Sequence, residues 1–412
     1  MADELPGDCP VRSSSVYGSR WSEPLSSSVG SRSHSLVSHC VPSPSNTTFG
    51  VEEEFLLVEH GSGVPFGHNL AVIEAARAQG LTLTTEFASC QVETDTSVHT
   101  SSADLRAELV QLRRVAARAA ASVGARLLPV AVPPIGTAPF TLTDSSRFEW
   151  ITESFGSLTY GQVICGCHVH VGMPDRETAL QVGNFIRLWL PSLLALTANS
   201  AVYAGFDTGY ASWRAVQQTG WPVSGPPPYF RSVEHFDEVA AVLHETGAVL
   251  DERMLYWDIR PSSHLATIEV RVADVAATVD EAVTFATLVR ALAITALGEL
   301  ESGRTAPEIG TETLVAAKWK AAHDGLTGQG YDVREGRITS AREVLQSLIR
   351  WVAPALEELG DYDGVCESVE RRFADGNGAV RQRRALHRGG GLTALVAELA
   401  VPAESEDPVG VP

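Results

Sequence analysis

Two cysteines and two histidines lie close together in "ICGCHVHVG" (164–172) and raise the question of a metal site. A residue and its second neighbour point to the same face of a β-strand. On a regular strand Cys165 and Cys167 therefore point away from His168 and His170, and one tetrahedral zinc site cannot use both pairs. A β-bulge would rescue such a site, but structural zinc usually takes its ligand pairs from tight turns. We therefore expect the histidines to be the ligands and the cysteines to be small buried residues.

Acidic side chains occur with the same spacing in three other short apolar runs. The paired positions are Glu52 with Glu54 in "TFGVEEEFLLV", Gln91 with Glu93 in "SCQVETD", and Glu269 with Arg271 in "ATIEVRVAD". One such pair is typical of a solvent-facing strand, but a solvated face generally mixes Lys, Thr, Ser and Gln. These faces carry mostly carboxylates and imidazoles, with apolar neighbours that are expected to be buried. Because carboxylates on a half-buried surface repel one another, the pattern predicts bound cations.

The predicted ligands favour a hard cation. Carboxylate oxygens with one imidazole suit Mg²⁺ or Mn²⁺ better than zinc, and such ions keep positions open for phosphate oxygens. Phosphoryl transfer depends mainly on positioning and charge neutralisation, which metal ions and a nearby arginine supply. The sequence has neither the P-loop pattern nor the protein-kinase motifs, so a nucleotide must be held in another way.

Helices with strong start signals alternate with these strands. The predicted caps are Ser101 with Asp104, Thr278 with Glu281, and Asp175. The helix after Asp175 runs toward Pro191, which should kink or restart it. The helix after Thr278 is the most apolar run of the chain, but Arg290 in mid-span would cost roughly 2.5–3.5 kcal/mol at a bilayer centre. We therefore predict a buried core helix rather than a membrane span.

Composition and charge limit the binding partners and the cell compartment that we expect for the protein. The chain has 412 residues, a formal net charge of -19 and only six cysteines. Strong acidity argues against nucleic acid or an anionic membrane as the main partner. The few scattered cysteines and the lack of an apolar leader favour the cytoplasm.

Serine content and apolar periodicity divide the chain into three parts. Residues 1–47 are rich in serine and poor in periodic apolar positions, so burial cannot offset the entropy of ordering them. We predict a disordered tail there, one catalytic domain over 48–400, and a second disordered tail over 401–412.

Several ordered motifs together resemble one protein family. They include "FGVEEEFLLV" (49–58), "CGCHVHVGMPD" (165–175), "DTGYASWRA" (207–215), "YWDIRPSSHLATIEVRVAD" (256–274) and "GNGAVRQRRAL" (376–386). Over roughly residues 48–392 the chain resembles the carboxylate-amine ligase family, also called the type 2 glutamate-cysteine ligase family. The resemblance implies an α+β fold like that of glutamine synthetase and glutamate-cysteine ligase, with a curved, mainly antiparallel sheet forming a funnel and helices packed outside.

The resemblance also implies a reaction, ATP-dependent amide formation through an acyl phosphate, with Mg²⁺ or Mn²⁺. The metal positions it implies are Glu52, Glu54, Glu93, His168 or His170, and Glu269. The expected catalytic residues are Glu54, Glu269 and Arg271, and the expected phosphate contacts are Arg271, Arg260 and Arg383, although a run of charges that includes Arg383 is also typical of a solvated helix. The expected substrate contacts are Gln91, Tyr210, Ser212 and Arg214, of which the last three are equally compatible with a hydrogen-bonded connecting loop. Arg260 is equally compatible with a structural ion pair, and Glu53 points to the other face of its strand and is expected to be structural.

The sequence departs from the family pattern at Phe185, Leu188, Ala266 and the segment 321–330. These departures leave the predicted metal strands intact and put the identity of the acid and the amine in doubt. The expected partners are a small carboxylic acid and an amine, and homo-oligomerisation stays open. Two other functions remain open from the sequence: a small-molecule kinase that phosphorylates a carboxylate or guanidino group, and an inactive nucleotide-binding protein.

Overall fold

A computed structural model describes residues 46–136 and 139–403 of the chain. Most of both predicted tails therefore lies outside the described residues. At the near edges of the tails, the Thr47 carbonyl accepts a hydrogen bond from buried Arg290 at 2.9 Å, and the Val401 N–H donates to the Leu127 carbonyl at 2.9 Å. Contacts of the domain therefore extend slightly beyond the predicted range 48–400.

The strands of the described residues vary from two residues to eleven. They are β1 (Phe49–Glu59), β2 (Thr84–Thr85), β3 (Gln91–Asp95), β4 (Ala125–Leu128), β5 (Gly166–Gly172), β6 (Val202–Tyr203), β7 (Phe206–Asp207), β8 (Ser224–Gly225), β9 (Tyr256–Trp257), β10 (Ile259–Pro261), β11 (Thr267–Asp274), β12 (Gln329–Asp332) and β13 (Arg337–Ser340).

The α-helices of the described residues vary from six residues to twenty-three. They are α1 (Asn69–Arg77), α2 (Ser102–Ser122), α3 (Ser146–Phe155), α4 (Arg176–Ile186), α5 (Leu190–Thr197), α6 (Trp213–Gln218), α7 (Val233–Glu245), α8 (Val279–Glu301), α9 (Thr311–Asp324), α10 (Ala341–Leu359), α11 (Tyr362–Asp375), α12 (Gly378–His387) and α13 (Gly391–Leu399). Short 3₁₀ helices follow α3, α7 and α9.

One seven-stranded sheet organises the fold. Its order is β10-β11-β5-β1-β3-β2, and β4 pairs with the distal end of β1. All of its pairings are antiparallel. The four runs singled out in the sequence become β1, β3, β5 and β11 of this sheet. The predicted α+β class with a mainly antiparallel sheet is thus confirmed, although the sheet is open, with edges at β10 and β2, and is not a closed barrel.

The predicted helix caps are confirmed. Ser101 accepts from the Asp104 N–H, Asp175 accepts from the Thr178 N–H, and Thr278 forms a complete capping box with Glu281. The chain restarts at Pro191 as predicted, because α4 ends before it and α5 carries the proline in its first turn. Each cap satisfies backbone donors that a helix leaves free at its start.

Helices cover one face of the sheet. Val51, Val169 and Val270 point from three adjacent strands into a core that also contains Phe285 and Leu292 of α8. Cys165 and Cys167 are buried free thiols, as expected, and the candidate metal-ligand groups within the described residues include no cysteine. The opposite side-chain set of the same strands, at alternate positions, faces a cavity.

The apolar helix α8 is a core element. By length and composition it could span a membrane, and the bent pair of α4 and α5 passes the same test, but 72% of the apolar stretch of α8 is buried inside the domain. Arg290, midway along α8, lies over the ring of Phe49 at 4.9 Å and donates to the Thr47 carbonyl. The prediction of a buried helix is therefore confirmed.

Candidate active site

Strand register brings the predicted residues together in rows across the sheet. Glu52 of β1 lies opposite His168 of β5 on one side and Asp95 of β3 on the other. The row beside it contains His170, which lies opposite Glu269 of β11, and Glu269 lies opposite Arg260 of β10. Directly opposed side chains lie about 5 Å apart at their Cβ atoms. Residues far apart in sequence are neighbours here because the register of the strands places them so.

The third row is the most acidic. Glu54 of β1 lies opposite Glu93 of β3, and Glu93 lies opposite Thr84 of β2. Glu86, which directly follows β2, completes this group of carboxylates. All of these acids line one cavity of about 630 Å³.

Glu52 binds both histidines. Its two oxygens lie 3.0 Å from His168 Nδ1 and 3.0 Å from His170 Nε2. Burial opposes ionisation of Glu52, but the hydrogen bond with His168 and the close contact with His170 outweigh it and hold the pKa of Glu52 well below its usual value. Burial alone would lower the pKa of His170, and the contact with Glu52 raises it. The charge of Glu52 therefore has close partners in its own row and in the row beside it.

Glu269 is held between two arginines. Arg260 Nε donates to one of its oxygens at 3.0 Å, and Arg271 donates to the other. Burial would raise the pKa of Glu269, but the charges of Arg271 and Arg260 lower it. Arg260 also donates to the carbonyls of Glu252, Arg253 and Leu255. The ion-pair alternative for Arg260 is thus observed, and Arg260 still lines the cavity.

A β-bulge positions Arg271. The register between β11 and β5 shifts between Val270 and Ala273, and bulges of this kind re-aim a side chain. The Arg271 N–H donates to the Asp258 carbonyl at 2.7 Å, and its guanidinium reaches 3.4 Å from His168 Nδ1. Arg271 therefore contacts both His168 and Glu269.

The Glu54, Glu86 and Glu93 group lacks a comparable balance. Burial and the charge of Glu54 raise the pKa of Glu86 to about 8. Burial and the neighbouring carboxylates Glu86 and Glu52 raise the pKa of Glu93 well above its usual value. A carboxyl in this situation is stabilised by a proton or by a cation. The charge of this group is therefore not compensated in the way that the charge of Glu269 is.

The residues fit divalent cations. Three overlapping groups bring one ligand atom from each member within 4.8 Å of the others: Glu52, Glu93 and His168; Glu52, His170 and Glu269; and Glu54, Glu86 and Glu93. His168 Nε2 is buried without a hydrogen-bond partner in the described residues, and its closest acid oxygen, from Glu54, is 3.6 Å away. A metal ion would satisfy this nitrogen and relieve the crowding of the carboxylates.

Arg214 approaches the same centre from α6. Its guanidinium lies against Gly166, where an added Cβ would fall 2.6 Å from Arg214 Nη2, so only glycine allows this approach. Arg214 donates to the carbonyls of Arg271 and Val272 at 3.2 and 3.4 Å. The Gly166 N–H in turn donates to Glu54. Gln91 also lines the cavity, and its amide donates to the Ile164 carbonyl at 2.8 Å.

Three residues predicted from the motifs do not line this cavity. Ser212 is fully buried, donates to Asp274 at 2.8 Å and caps α6. Arg383 forms an ion pair with Asp207 at 2.9 Å and donates to the Tyr210 carbonyl. The ring of Tyr210 packs against Trp213 and His323. In the described structure their polar groups serve the packing of α6, α9 and α12, and their contact with substrate or nucleotide stays a prediction.

Glu53 has the structural place that was expected for it. It is fully buried on the helix-covered face, and Arg113 of α2 donates to both of its oxygens. Arg113 also donates to the Ala276 carbonyl at 2.8 Å. Sequence reasoning missed Arg113, and it missed Glu86 because β2 is too short to show alternation.

Comparison with known proteins shows the family of the chain. Residues 48–398 match the family model "Glutamate-cysteine ligase family 2". The chain is 50% identical over 352 residues to a Nocardia farcinica protein named "Putative glutamate--cysteine ligase 2-1", covering 85% of this chain and 92% of that protein. It is 48% identical over 362 residues to "Putative glutamate--cysteine ligase 2-3" of Mycolicibacterium smegmatis, covering 88% and 99%.

Solved structures share the fold at low sequence identity. A glutamate–cysteine ligase from Francisella tularensis in complex with AMP is similar with a TM-score of 0.60 at 16% identity, covering 86% of this chain and 87% of that one. A bifunctional glutathione synthetase from Pasteurella multocida is similar with a TM-score of 0.61 at 17% identity, covering 86% of this chain and 52% of that one. With the sequence match over nearly the whole domain, the chain belongs to glutamate-cysteine ligase family 2, a family of ATP-dependent carboxylate–amine ligases.

Proposed function

We propose that this ligase joins a small carboxylic acid, with glutamate as the first candidate, to an amine such as cysteine or to a specialised biosynthetic partner. One observation carries the proposal: three carboxylate-rich ligand groups share residues at one end of a cavity that also contains Arg260, Arg271 and Arg214. This combination suits a nucleotide triphosphate and an acid that must approach each other despite their like charges.

The acidic rows would hold Mg²⁺ or Mn²⁺. Glu52, Glu54, Glu93 and Glu269, with His168 or His170, supply the ligands, and Glu86 joins them. Bound ions would neutralise phosphate oxygens and polarise the transferred group. Arg271 and Arg260 lie on the same side of the cavity and are suited to further phosphate oxygens.

The reaction has two steps. A carboxylate oxygen of the acid attacks the γ-phosphorus of ATP, the bond to the bridging oxygen breaks, and ADP leaves. The amine nitrogen then attacks the acyl carbon, the C–O bond to phosphate breaks, and inorganic phosphate leaves as the nitrogen loses a proton. Negative charge develops in both steps, and Arg271 is placed to stabilise it because its guanidinium lies beside His168 and Glu269.

Substrate contacts are expected from residues that line the cavity outside the three rows of candidate metal ligands. Gln91 and Arg214 remain the proposed substrate contacts from the motif analysis. We expect the enzyme to act in the cytoplasm on small molecules, and a homo-oligomer is compatible with the proposal. A kinase would stop after the first step, so the requirement for an amine separates it from a ligase.

A coupled assay for ADP release tests the proposal. Purified protein with ATP and Mg²⁺ is mixed with a panel of acids and amines, and the product is identified by mass spectrometry. We expect ADP release that requires both an acid and an amine. ADP release with a stable phosphorylated acid and no amide would favour the kinase, and nucleotide binding without turnover for every pair would favour an inactive binding protein.

A further inference from the structure

The short helix α6 carries two unsatisfied polar atoms on the face that lines the cavity. Arg214 and Gln218 are one helical turn apart and share that face. Arg214 is 2% exposed and Gln218 is 4% exposed. The Nε of Arg214 and the Oε1 of Gln218 are buried and form no hydrogen bond within the described residues. Buried polar atoms normally have partners, so a donor and an acceptor left open side by side indicate a ligand.

The charge of Arg214 is only loosely balanced in the described structure. Its hydrogen bonds to the carbonyls of Arg271 and Val272 are long, and its nearest acid, Asp274, is 4.0 Å away. Asp274 already accepts from Ser200, Ser212 and the Asn199 N–H at 2.7–2.8 Å. The ion pair between Asp274 and Arg214 is therefore weak, and the Arg214 guanidinium can donate hydrogen bonds to a carboxylate in the cavity.

Gln218 is suited to a nitrogen. Its carbonyl oxygen can accept from an N–H group, and the acids that line the cavity belong to the sheet side, on or beside β1, β2, β3 and β11, and not to α6. Beyond Gln218 the wall becomes largely uncharged, with Trp221 and Gln162 bonded to each other at 3.1 Å. The α6 wall thus presents one cation followed by one neutral acceptor.

Resting on the proposed function, we propose that Arg214 and Gln218 form a subsite for the amino-acid head of the acid substrate. Arg214 binds the carboxylate that is not activated, and Gln218 accepts a hydrogen bond from the nitrogen on the same carbon. The other carboxylate of the substrate then faces the metal rows, next to Gly166 and Glu54. The substrate class is an α-amino dicarboxylic acid, and Gln218 determines the preference for the amino group.

Glutamate and two simpler analogues test the two contacts separately. Glutarate lacks the amino group of glutamate, and 4-aminobutyrate lacks its α-carboxylate. Isothermal titration in the presence of Mg²⁺ and ADP gives the affinity of wild-type protein for L-glutamate, glutarate and 4-aminobutyrate. We expect wild-type protein to bind L-glutamate about 30-fold more tightly than glutarate, because glutarate leaves the buried Gln218 oxygen without a partner.

The variant Gln218→Met should remove that preference. We expect L-glutamate affinity to fall by about 30-fold and glutarate affinity to change by less than about threefold. Arg214→Met should weaken L-glutamate and glutarate but leave 4-aminobutyrate nearly unchanged. Gln217→Met is the matched control, because Gln217 belongs to the same helix and does not line the cavity.

The outcomes separate the subsite from the ligase function. Equal loss for L-glutamate and glutarate in Gln218→Met would show that Gln218 is only structural, and no loss for either would also overturn the subsite. Absence of L-glutamate binding to wild-type protein would overturn it as well, even if ADP release with another acid upheld the ligase. Glutamate binding that depends on Gln218, without ADP release for any amine, would support the subsite and count against the proposed reaction.

Discussion

Neighbouring glutamates on the two faces of β1 have opposite electrostatic environments. Glu53 points to the helix-covered face, is fully buried and receives two hydrogen bonds from Arg113. Glu54, the next residue, points to the cavity and shares its row with Glu93 and Glu86, whose pKa values are raised by burial and by neighbouring carboxylates. One face has complete charge compensation, and the other has a surplus of acid.

This difference separates structural acids from functional ones. A buried carboxylate with a bidentate arginine stabilises the fold only as a pair, and removing one partner leaves an uncompensated charge. A cluster of carboxylates without matching cations has no such role and destabilises the empty protein by repulsion. The cluster is explained if a cation binds to these carboxylates, together with a phosphate, during turnover.

The largest expected effect is on turnover. Glu54→Gln should lower kcat by about 10⁴-fold, or about 5.5 kcal/mol, because one charged ligand of the metal rows is lost. The amide oxygen can still accept from the Gly166 N–H, so the fold should persist. Steady-state ADP release, with circular dichroism to verify folding, gives the result.

Glu59→Gln is the control for this prediction, since Glu59 is an exposed residue at the end of the same strand. Turnover within tenfold of wild type in Glu54→Gln would mean that the cavity face of β1 does not carry the chemistry. Glutamine is preferred to alanine at this position, because alanine would also remove the acceptor of the Gly166 N–H.

The next effect concerns the opposite face. Arg113→Met should lower the free energy of unfolding by about 4 kcal/mol, because Glu53 would stay buried without its partner. Arg118→Met, an exposed position on the same helix, should change it by less than about 0.5 kcal/mol. Urea denaturation of the metal-free proteins provides the comparison. If Arg113→Met were as stable as Arg118→Met, the distinction between the two faces of β1 would fail.

Metal binding should raise the stability of the protein through the carboxylates of the cavity face. At a Mg²⁺ concentration about 100 times the Kd, wild-type protein should gain about 2.7 kcal/mol of stability by mass action. Glu93→Gln removes a shared member of two ligand groups and should lose most of this gain. Thermal unfolding with and without Mg²⁺ measures both. A gain of the same size in Glu93→Gln would place the metal elsewhere.

The sequence predicted most of what alternation and capping determine. β1, β3, β5 and β11 were identified because their polar side chains recur at every second position, and the starts of α2, α4 and α8 because their caps are local signals. The rows across the sheet needed the strand register, which no short stretch of sequence contains. The motif resemblance supplied the expectation that these strands meet.

The residues that sequence reasoning missed, or that lie outside the cavity, have a common physical cause. Glu53 and Arg113 are sixty positions apart in the chain, and nothing local couples them. Glu86 follows a two-residue strand that carries no periodic signal. Ser212 and Arg383 are polar residues near the motif segments, but composition does not tell whether such a side chain faces a cavity or satisfies a neighbouring helix. Tertiary packing decides these cases.

The smallest expected effect is on the pH dependence of stability, and it tests whether the carboxylates of the cavity face lack compensating charge. With the pKa of Glu86 raised to about 8, the folded protein holds its proton more tightly than the unfolded chain, in which the pKa is near 4.5. The resulting destabilisation is absent below about pH 4.5, grows as the pH rises, and is complete above about pH 8. In EDTA, Glu86→Gln should therefore match wild type near pH 4.5 and exceed it by about 2 kcal/mol at pH 9. Urea denaturation across this range measures the difference, with exposed Glu153→Gln as the control. A pH-independent difference would mean that Glu86 is compensated as fully as Glu53, and that the contrast between the two faces of the sheet does not extend to β2.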